Sequence, residues 1–312
     1  MNSANSSQAT ATQTKEIDAF LGKTSSALKK LEEIINATKE FPSKQNLIYN
    51  LMNLTTDVTT FSTELINYLS QDNELAQQVI EKASLHARLP RTKITAQQLQ
   101  QSIHKLGYGL VHNVVQDKIA KQLVKIYFQS EDETVKTLLK KSIRLSYISK
   151  QIAKIVGLPD TLVFFAGLYL NLGQTVLAMR DPRSTKEIRK MTAMGSDENS
   201  SALVLMGFTF GELGANMLES WDLPENLIDI VRNQANPTVK VQNRKIASLL
   251  KFAEYINNTF ADKKSSPMAT WDKAYEFCTQ IGHEITMESW IEEIKLLYIQ
   301  VLETEYSLFK RD

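Results

Sequence analysis

The 312-residue chain contains a single cysteine, Cys278. One cysteine cannot form an intrachain disulfide, and one thiolate cannot build a cysteine-rich zinc site. A chain without disulfides is typical of a reducing compartment, so we expect a cytoplasmic protein. Because Cys278 stands among Tyr275, Phe277 and Ile281, we expect its thiol to be buried and unreactive.

Glycine and proline are also scarce, with 11 and 7 residues, and a chain with few turns favours long helices. The 36 basic and 35 acidic side chains are interleaved and leave a net charge of +1, which gives no field that attracts nucleic acid or an anionic membrane. No secretory signal is recognisable at the start of the chain. No apolar run approaches the roughly 20 residues that cross a bilayer. We therefore expect neither nucleic acid nor a membrane as a partner.

Apolar residues recur at spacings of three, four and seven along most of the chain, and no segment of useful length alternates as a strand does. The predicted fold is therefore all-α. Residues 1–14 hold no large apolar side chain, which predicts a disordered tail. The rest divides into an N-terminal helical extension (15–40), a main domain (41–260) with lobes at about 41–128 and 133–260, and a C-terminal helical extension (261–312).

Several helix ends are marked by single residues. Asp72 and Thr95 stand where N-caps are expected. Gly107 and Gly157 stand where helices are expected to end, with the helix after Gly107 resuming near residue 110. The polar, Gly- and Ser-containing stretch 181–200 predicts a flexible connection or a mobile short helix.

Five stretches occur in a characteristic order: FPSKQNLIYNLMNL, ELINYLSQDNELAQQVIEKAS, ITAQQLQQSIHKLG, AGLYLNLGQTVL and MGFTFGELGANMLESWDLPENLIDIVRNQANP. Their order and spacing resemble the HDOD domain of bacterial signalling proteins, a relative of the HD-type metal-dependent phosphohydrolases. The resemblance covers about residues 41–260. It implies a multi-helix bundle with the HD architecture.

The active HD enzymes hold one or two metal ions with His and Asp side chains, and the metal lowers the pKa of a bound water. The resemblance places the positions of these ligands at or near Lys141, Leu170, Asn171, Phe210, Gln234 and Ala235. Leu, Phe and Ala offer no lone pair, Asn and Gln are neutral, and a Lys ammonium repels a cation. We therefore expect no metal, no cofactor and no catalysis of the HD type.

Two glycines flank Leu170 and Asn171, the degenerate doublet, where the resemblance places adjacent His and Asp ligands. Gly167 and Gly173 are expected to allow close approach of neighbouring backbones, and Leu170 is expected to belong to the core. Asn171 is expected either to hydrogen-bond a helix terminus or to face a residual cleft. Trp221 is expected to pack at a corner between two helices.

Four histidines are present: His86, His104, His112 and His283. None forms the i,i+4 pair that a helical metal site uses, so we expect no metal role for them. Ser84 precedes His86, but no acidic residue stands at a spacing that would complete a triad. A set of cations could form an anion-binding face for a nucleotide, although an ordinary exposed basic face is the more common arrangement: Lys121, Lys125, Lys140, Lys141, Arg144 and Lys150.

The resemblance, together with the missing metal ligands, implies a non-catalytic regulatory or scaffold module of bacterial signal transduction. It would bind a signalling protein partner and could be tuned by a small molecule in the emptied cleft. Two alternatives stay open: a residual metal-dependent phosphohydrolase, and a sensor of nucleotides such as cyclic dinucleotides. The terminal stretch WIEEIKLLYIQVLETEYSLF is expected to dock on the bundle, and it could also provide a surface for a partner or a homodimer.

Overall fold

The structure, a computed structural model, describes residues 25–38, 41, 44–56, 62–84, 94–234, 243–261 and 270–310. Every regular element within these ranges is a helix, and no strand occurs in them. The predicted all-α fold is confirmed. Three subjects of the sequence predictions lie outside the described residues, namely the tail 1–14, His86 and Ala235.

The helices follow one another in this order: α1 (25–37), α2 (Gln45–Thr56), α3 (Ser62–Leu69), α4 (Asn73–Ala83), α5 (Ala96–Gln129), α6 (Glu133–Val156), α7 (Asp160–Tyr169), α8 (Leu172–Arg180), α9 (Pro182–Ala193), α10 (Glu198–Met206), α11 (Phe210–Ser220), α12 (Glu225–Arg232), α13 (Arg244–Ala261), α14 (Trp271–Ile281) and α15 (Met287–Phe309).

The predicted helix ends rest on local hydrogen bonds and backbone geometry. Asp72 caps α4 through its carboxylate, and Thr95 forms a reciprocal capping box with Gln98 at the start of α5. Gly157 ends α6 in the left-handed conformation, with φ 69°, which glycine adopts without steric cost. Gly107 breaks α5 with φ 73° and ψ 160°, but helical structure continues directly on both sides, without the expected gap up to residue 110.

The polar stretch 181–200 is helical over most of its length, so of the two alternatives the short helix is confirmed and the flexible connection is wrong. The carboxylate of Asp181 accepts a hydrogen bond from the Ser184 amide at 3.0 Å, and Pro182 occupies the first turn of α9, where its missing N–H costs nothing. Ile188 is buried and anchors this helix to the core. One apolar anchor in a polar stretch gives almost no periodic signal.

A single hydrophobic core runs through the described helices. α6 lies at its centre and packs against α5, α7, α8, α13 and α15. Both predicted lobes contribute to this core: the rings of Tyr49 and Phe165 lie 5.0 Å apart, and the Tyr169 hydroxyl donates a 2.6 Å hydrogen bond to Gln45 Oε1. The lobe boundary stays a prediction, since the two parts share one core.

Within the described residues, one helical stretch has the length and hydropathy of a membrane span. Asp160–Arg180 has 21 residues, and its most apolar window has a mean hydropathy of 1.6 and is 89% buried inside the fold. Polar residues such as Asn171 and Gln174 interrupt the stretch, so it is not an uninterrupted apolar run. A mostly buried helix of this kind is typical of a protein core, and the turn at Leu170 and Asn171 divides the stretch into α7 and α8.

The C-terminal extension docks on the bundle as predicted. α15 packs against α5, α6 and α14 and buries Trp290, Ile294, Leu297 and Val301. The Trp290 indole donates a 3.0 Å hydrogen bond to Thr270 Oγ1. On the opposite side of α15, four large apolar side chains are exposed: Leu296, Ile299, Leu302 and Tyr306.

Candidate functional site

The degenerate His-Asp doublet lies at the turn between α7 and α8. Leu170 and Asn171 are both buried, so the prediction that Leu170 belongs to the core is confirmed. Asn171 stands at the start of α8, but its side chain makes no capping hydrogen bond. Its amide nitrogen instead lies 3.4 Å from Ser142 Oγ on α6, a long and therefore weak contact. Of the two alternatives, the bond to a helix terminus is wrong, because the side chain turns towards the neighbouring helix. A role in a residual cleft stays a prediction.

Gly167 and Gly173 permit close helix packing, as predicted. A Cβ atom on Gly167 would lie 3.0 Å from the Leu145 carbonyl oxygen of α6. A Cβ atom on Gly173 would lie only 2.0 Å from the Phe210 carbonyl oxygen of α11. The backbone of α8 therefore meets that of α11 directly, with no side chain between them.

Lys141, near which the resemblance places an upstream histidine, lies beside two carboxylates. Its ammonium forms a 2.7 Å ion pair with Glu254 Oε1 of α13. Gln174 Nε2 of α8 donates a 2.8 Å hydrogen bond to Glu198 Oε2 of α10. Burial raises the pKa of the Glu198 carboxyl, while the charges of Lys141 and Arg189 oppose that rise. The positive charge among these carboxylates is thus supplied by the protein itself.

Of the remaining positions that the structure describes, Phe210 has no ligand atom and Gln234 has only a neutral amide. Phe210 is buried at the start of α11, where its amide donates a 3.2 Å hydrogen bond to Asn199 Oδ1. Gln234 is half-buried just beyond α12. In the described parts of the chain, no group of three or more His, Cys, Asp or Glu side chains could hold a metal ion. The residues present do not fit the metal centre of the HD enzymes.

The six cations predicted as one anion-binding face are dispersed by the fold. Lys140 and Arg144 both contact Glu305 of α15, whereas the neighbouring Lys141 points to α13. Lys150 is buried against His112 of α5. The remaining two stand exposed on α5: Lys121 and Lys125. Since the four α6 cations contact three different helices, the fold does not form the single anion-binding face that the sequence offered as the less common possibility.

The other residues considered in the sequence have structural surroundings. Cys278 is buried, as predicted, and burial raises the pKa of its thiol to about 11. That the thiol is unreactive stays a prediction. Trp221 packs between the rings of Phe41 and Tyr169, at 5.7 and 5.8 Å, at the corner after α11 as predicted. His104 is exposed on α5 and His283 is half-buried beyond α14.

Sequence reasoning missed the partners of the α6 cations. Glu254 and Glu305 lie 113 and 161 residues further along the chain, and no spacing rule connects them to α6. The burial of Lys150 did leave a signal. Lys150 follows the core residue Ile143 by seven positions, so helical periodicity places both on the same buried face.

The sequence pattern of the HDOD domain matches residues 41–237. No curated protein matches the chain.

Several solved structures share the fold. A "putative phosphohydrolase" of Shewanella amazonensis SB2B is 18% identical, with a TM-score of 0.61 over 91% of this chain and 98% of its own. An HDOD domain protein of unknown function from Geobacter sulfurreducens is 16% identical, with a TM-score of 0.60 over 90% and 96%. A "putative signal transduction protein" of Marinobacter aquaeolei VT8 is 17% identical, with a TM-score of 0.57 over 91% and 65%. At such identities, the likeness shows the fold alone.

Proposed function

The chain belongs to the HDOD family, and on that basis we propose that it is a non-catalytic regulatory or scaffold module of bacterial signal transduction. It acts in the cytoplasm by binding a signalling protein. The family relationship and the signal-transduction name of the Marinobacter relative support the signalling role. The rival proposals are a residual phosphohydrolase and a nucleotide sensor.

The side chains that occupy the degenerate doublet and the positions around it support this proposal. Leu170 and Phe210 fill their positions with buried apolar groups, and Lys141 supplies an ammonium paired with Glu254. Metal-assisted hydrolysis needs a bound cation that activates water. Apolar groups and a fixed ammonium at these positions work against binding such a cation, so the site supports regulation better than hydrolysis.

The proposed interaction surface is the α15 stripe, defined as Leu296, Ile299, Leu302 and Tyr306. Three of these side chains are strongly exposed: Leu296 by 60%, Ile299 by 53% and Tyr306 by 72%. Their spacing of three, three and four residues places them on one side of α15. Because the opposite side is already buried against the bundle, α15 presents apolar surface in two directions, which favours a second partner.

The charges beside the α15 stripe indicate what this partner looks like. Three carboxylates are exposed next to the stripe, and two exposed cations accompany them, so the acidic charges are in excess: Glu288, Glu292 and Glu303, with Lys295 and Lys310. The occupant we propose is an amphipathic helix of a signalling protein whose apolar face is flanked by basic side chains. A second copy of this chain would instead bring the same acidic residues together.

Site-specific photo-crosslinking tests the surface. A crosslinker at Ile299 should capture one protein in the source bacterium, and the purified pair should bind in solution. Replacing Ile299 by Asp should weaken that binding at least tenfold, because it places a charge within the apolar contact. The matched control is Val204→Asp on α10, since Val204 is also exposed and apolar. Equal weakening by both variants, or crosslinks only to a second copy of the chain, would overturn the proposed partner.

A separate assay tests the non-catalytic part of the proposal. The purified protein should contain no stoichiometric divalent metal and should not turn over cyclic dinucleotides or nucleoside phosphates with manganese present. One tightly bound transition metal per chain together with metal-dependent turnover would establish the hydrolase instead. Stabilisation by a cyclic dinucleotide without turnover would favour the nucleotide sensor.

A further inference from the structure

A second polar cluster lies between α5 and α6, two helical turns from the degenerate doublet. Its centre is Lys150, only 4% exposed. The ammonium donates hydrogen bonds to His112 Nε2 at 2.8 Å and to Gln116 Oε1, and it lies 5.9 Å from the centre of the Phe164 ring. In the described part of the chain, no carboxylate lies within ion-pair distance of this ammonium.

The hydrogen bonds around His112 favour a neutral ring that carries its proton on Nδ1. The Thr55 hydroxyl donates to main-chain carbonyls, including that of Met52 at 2.8 Å. Its oxygen is therefore free to accept a hydrogen bond from His112 Nδ1–H at 2.9 Å. Nε2 then carries the lone pair that accepts from Lys150. Burial lowers the pKa of His112 to about 4, and the charge of Lys150 adds to that effect.

Lys150 is thus a buried cation whose direct partners are neutral. Buried charges in proteins are normally paired, because desolvation is costly. Burial, followed by the nearby charge of Lys154, lowers the pKa of Lys150 to about 8, while Asp160 and Asp117 oppose this shift from beyond contact distance. The ammonium is still mainly protonated at neutral pH.

A cavity of about 550 Å³ opens onto this cluster. Its polar wall includes Lys150, Lys154 and Asp160, and its apolar wall includes Leu106 and Leu110. With His112 neutral, two ammonium groups face one carboxylate, which leaves an excess of one positive charge. A cavity with an apolar wall and one unbalanced cation suits an organic molecule that carries a single acidic group.

We propose that this cavity binds a small organic anion, whose oxyanion group pairs with Lys150 and Lys154 while its apolar part lies against Leu106 and Leu110. The acidic group is a carboxylate or a phosphate, which share this chemistry. The site does not depend on the α15 stripe, so the anion and the signalling partner can be tested separately. It also lies apart from the doublet at Leu170 and Asn171.

Thermal unfolding at constant ionic strength tests the site, with butyrate, inorganic phosphate and adenosine monophosphate as probes and chloride as the balancing anion. At a concentration 100 times its dissociation constant, a ligand should raise the melting temperature by about 5 °C for a chain of this size. Stabilisation by butyrate alone would identify the acidic group as a carboxylate, and stabilisation by phosphate or adenosine monophosphate alone would identify it as a phosphate. Calorimetric titration should give one saturable site.

Lys150→Met removes the charge while keeping a similar side-chain length, so it should abolish the anion-dependent shift. Lys154→Met, at an exposed position, should weaken binding several-fold and remains informative if Lys150→Met fails to fold. The matched control is Lys125→Met, an exposed cation on α5 that should bind as the parent does. Failure of all three probes at millimolar concentration, or equal binding by Lys154→Met and the parent, would overturn the proposal.

Discussion

Gly173→Ala should destabilise the fold through a backbone clash that no side-chain rotation can relieve. The new methyl carbon would lie 2.0 Å from the Phe210 carbonyl oxygen and 3.1 Å from the Gly214 amide nitrogen. Ordinary carbon–oxygen contact begins near 3.2 Å, so α8 and α11 would have to separate by about 1 Å. Overpacking of this kind costs about 1–3 kcal/mol or more, and the better helix propensity of alanine offsets at most about 1 kcal/mol. The expected net loss is about 2 kcal/mol.

The measurement is chemical denaturation, with thermal unfolding as a second probe. For a chain of this size, a loss of about 2 kcal/mol corresponds to a fall of roughly 3 °C in the melting temperature. The matched control is Gly109→Ala, because Gly109 is helical and a Cβ atom there meets nothing within 4 Å. That control should gain up to about 1 kcal/mol. If Gly173→Ala were as stable as Gly109→Ala, the direct backbone contact between α8 and α11 would be incorrect.

Three further outcomes follow from the site. The free energy of unfolding should fall by about 3 kcal/mol as the pH drops from 6.5 to 4. Over this range His112 becomes protonated in the unfolded chain, whereas in the folded protein its pKa is near 4 and it stays largely neutral. His112→Gln should flatten this slope in urea titrations at several pH values. Leu170→His combined with Asn171→Asp should give no manganese-dependent phosphodiesterase turnover and should lose about 2–5 kcal/mol, since a polar ring replaces a buried leucine; a stable, active double variant would contradict the core assignment. Glu305→Gln should cost about 1–3 kcal/mol by leaving Arg144 without its carboxylate, and hydrogen exchange should quicken in α15 but not in α2.

Local chemistry explains which parts of the fold the sequence could predict. Asp72, Thr95 and Gly157 act through hydrogen bonds and φ angles within a few residues, so their roles can be read from neighbouring letters. The stretch 181–200 was misjudged because Ile188 is the single buried apolar residue of α9. Its helix depends on packing against the rest of the bundle, which no local pattern records.

The same distinction separates the predictable and unpredictable parts of the candidate sites. The loss of ligands at Leu170 and Asn171 follows from residue identity alone, and Leu170 is core as expected. The partners of the α6 cations are distant in the sequence, since Glu305 and Gln116 belong to other helices. Grouping charges by their nearness in the sequence therefore joined side chains that the fold separates.

The pairing of Arg144 with Glu305 has a consequence for how the chain is made. These residues are 161 positions apart, and ribosomes add roughly 5–20 residues per second. The part of α6 that α15 will cover therefore waits about 8–30 s after its own synthesis before its partner exists. During that interval the nascent chain exposes apolar surface next to unpaired cations, so translation speed downstream of α6 sets how long this surface is open to chaperones or to aggregation.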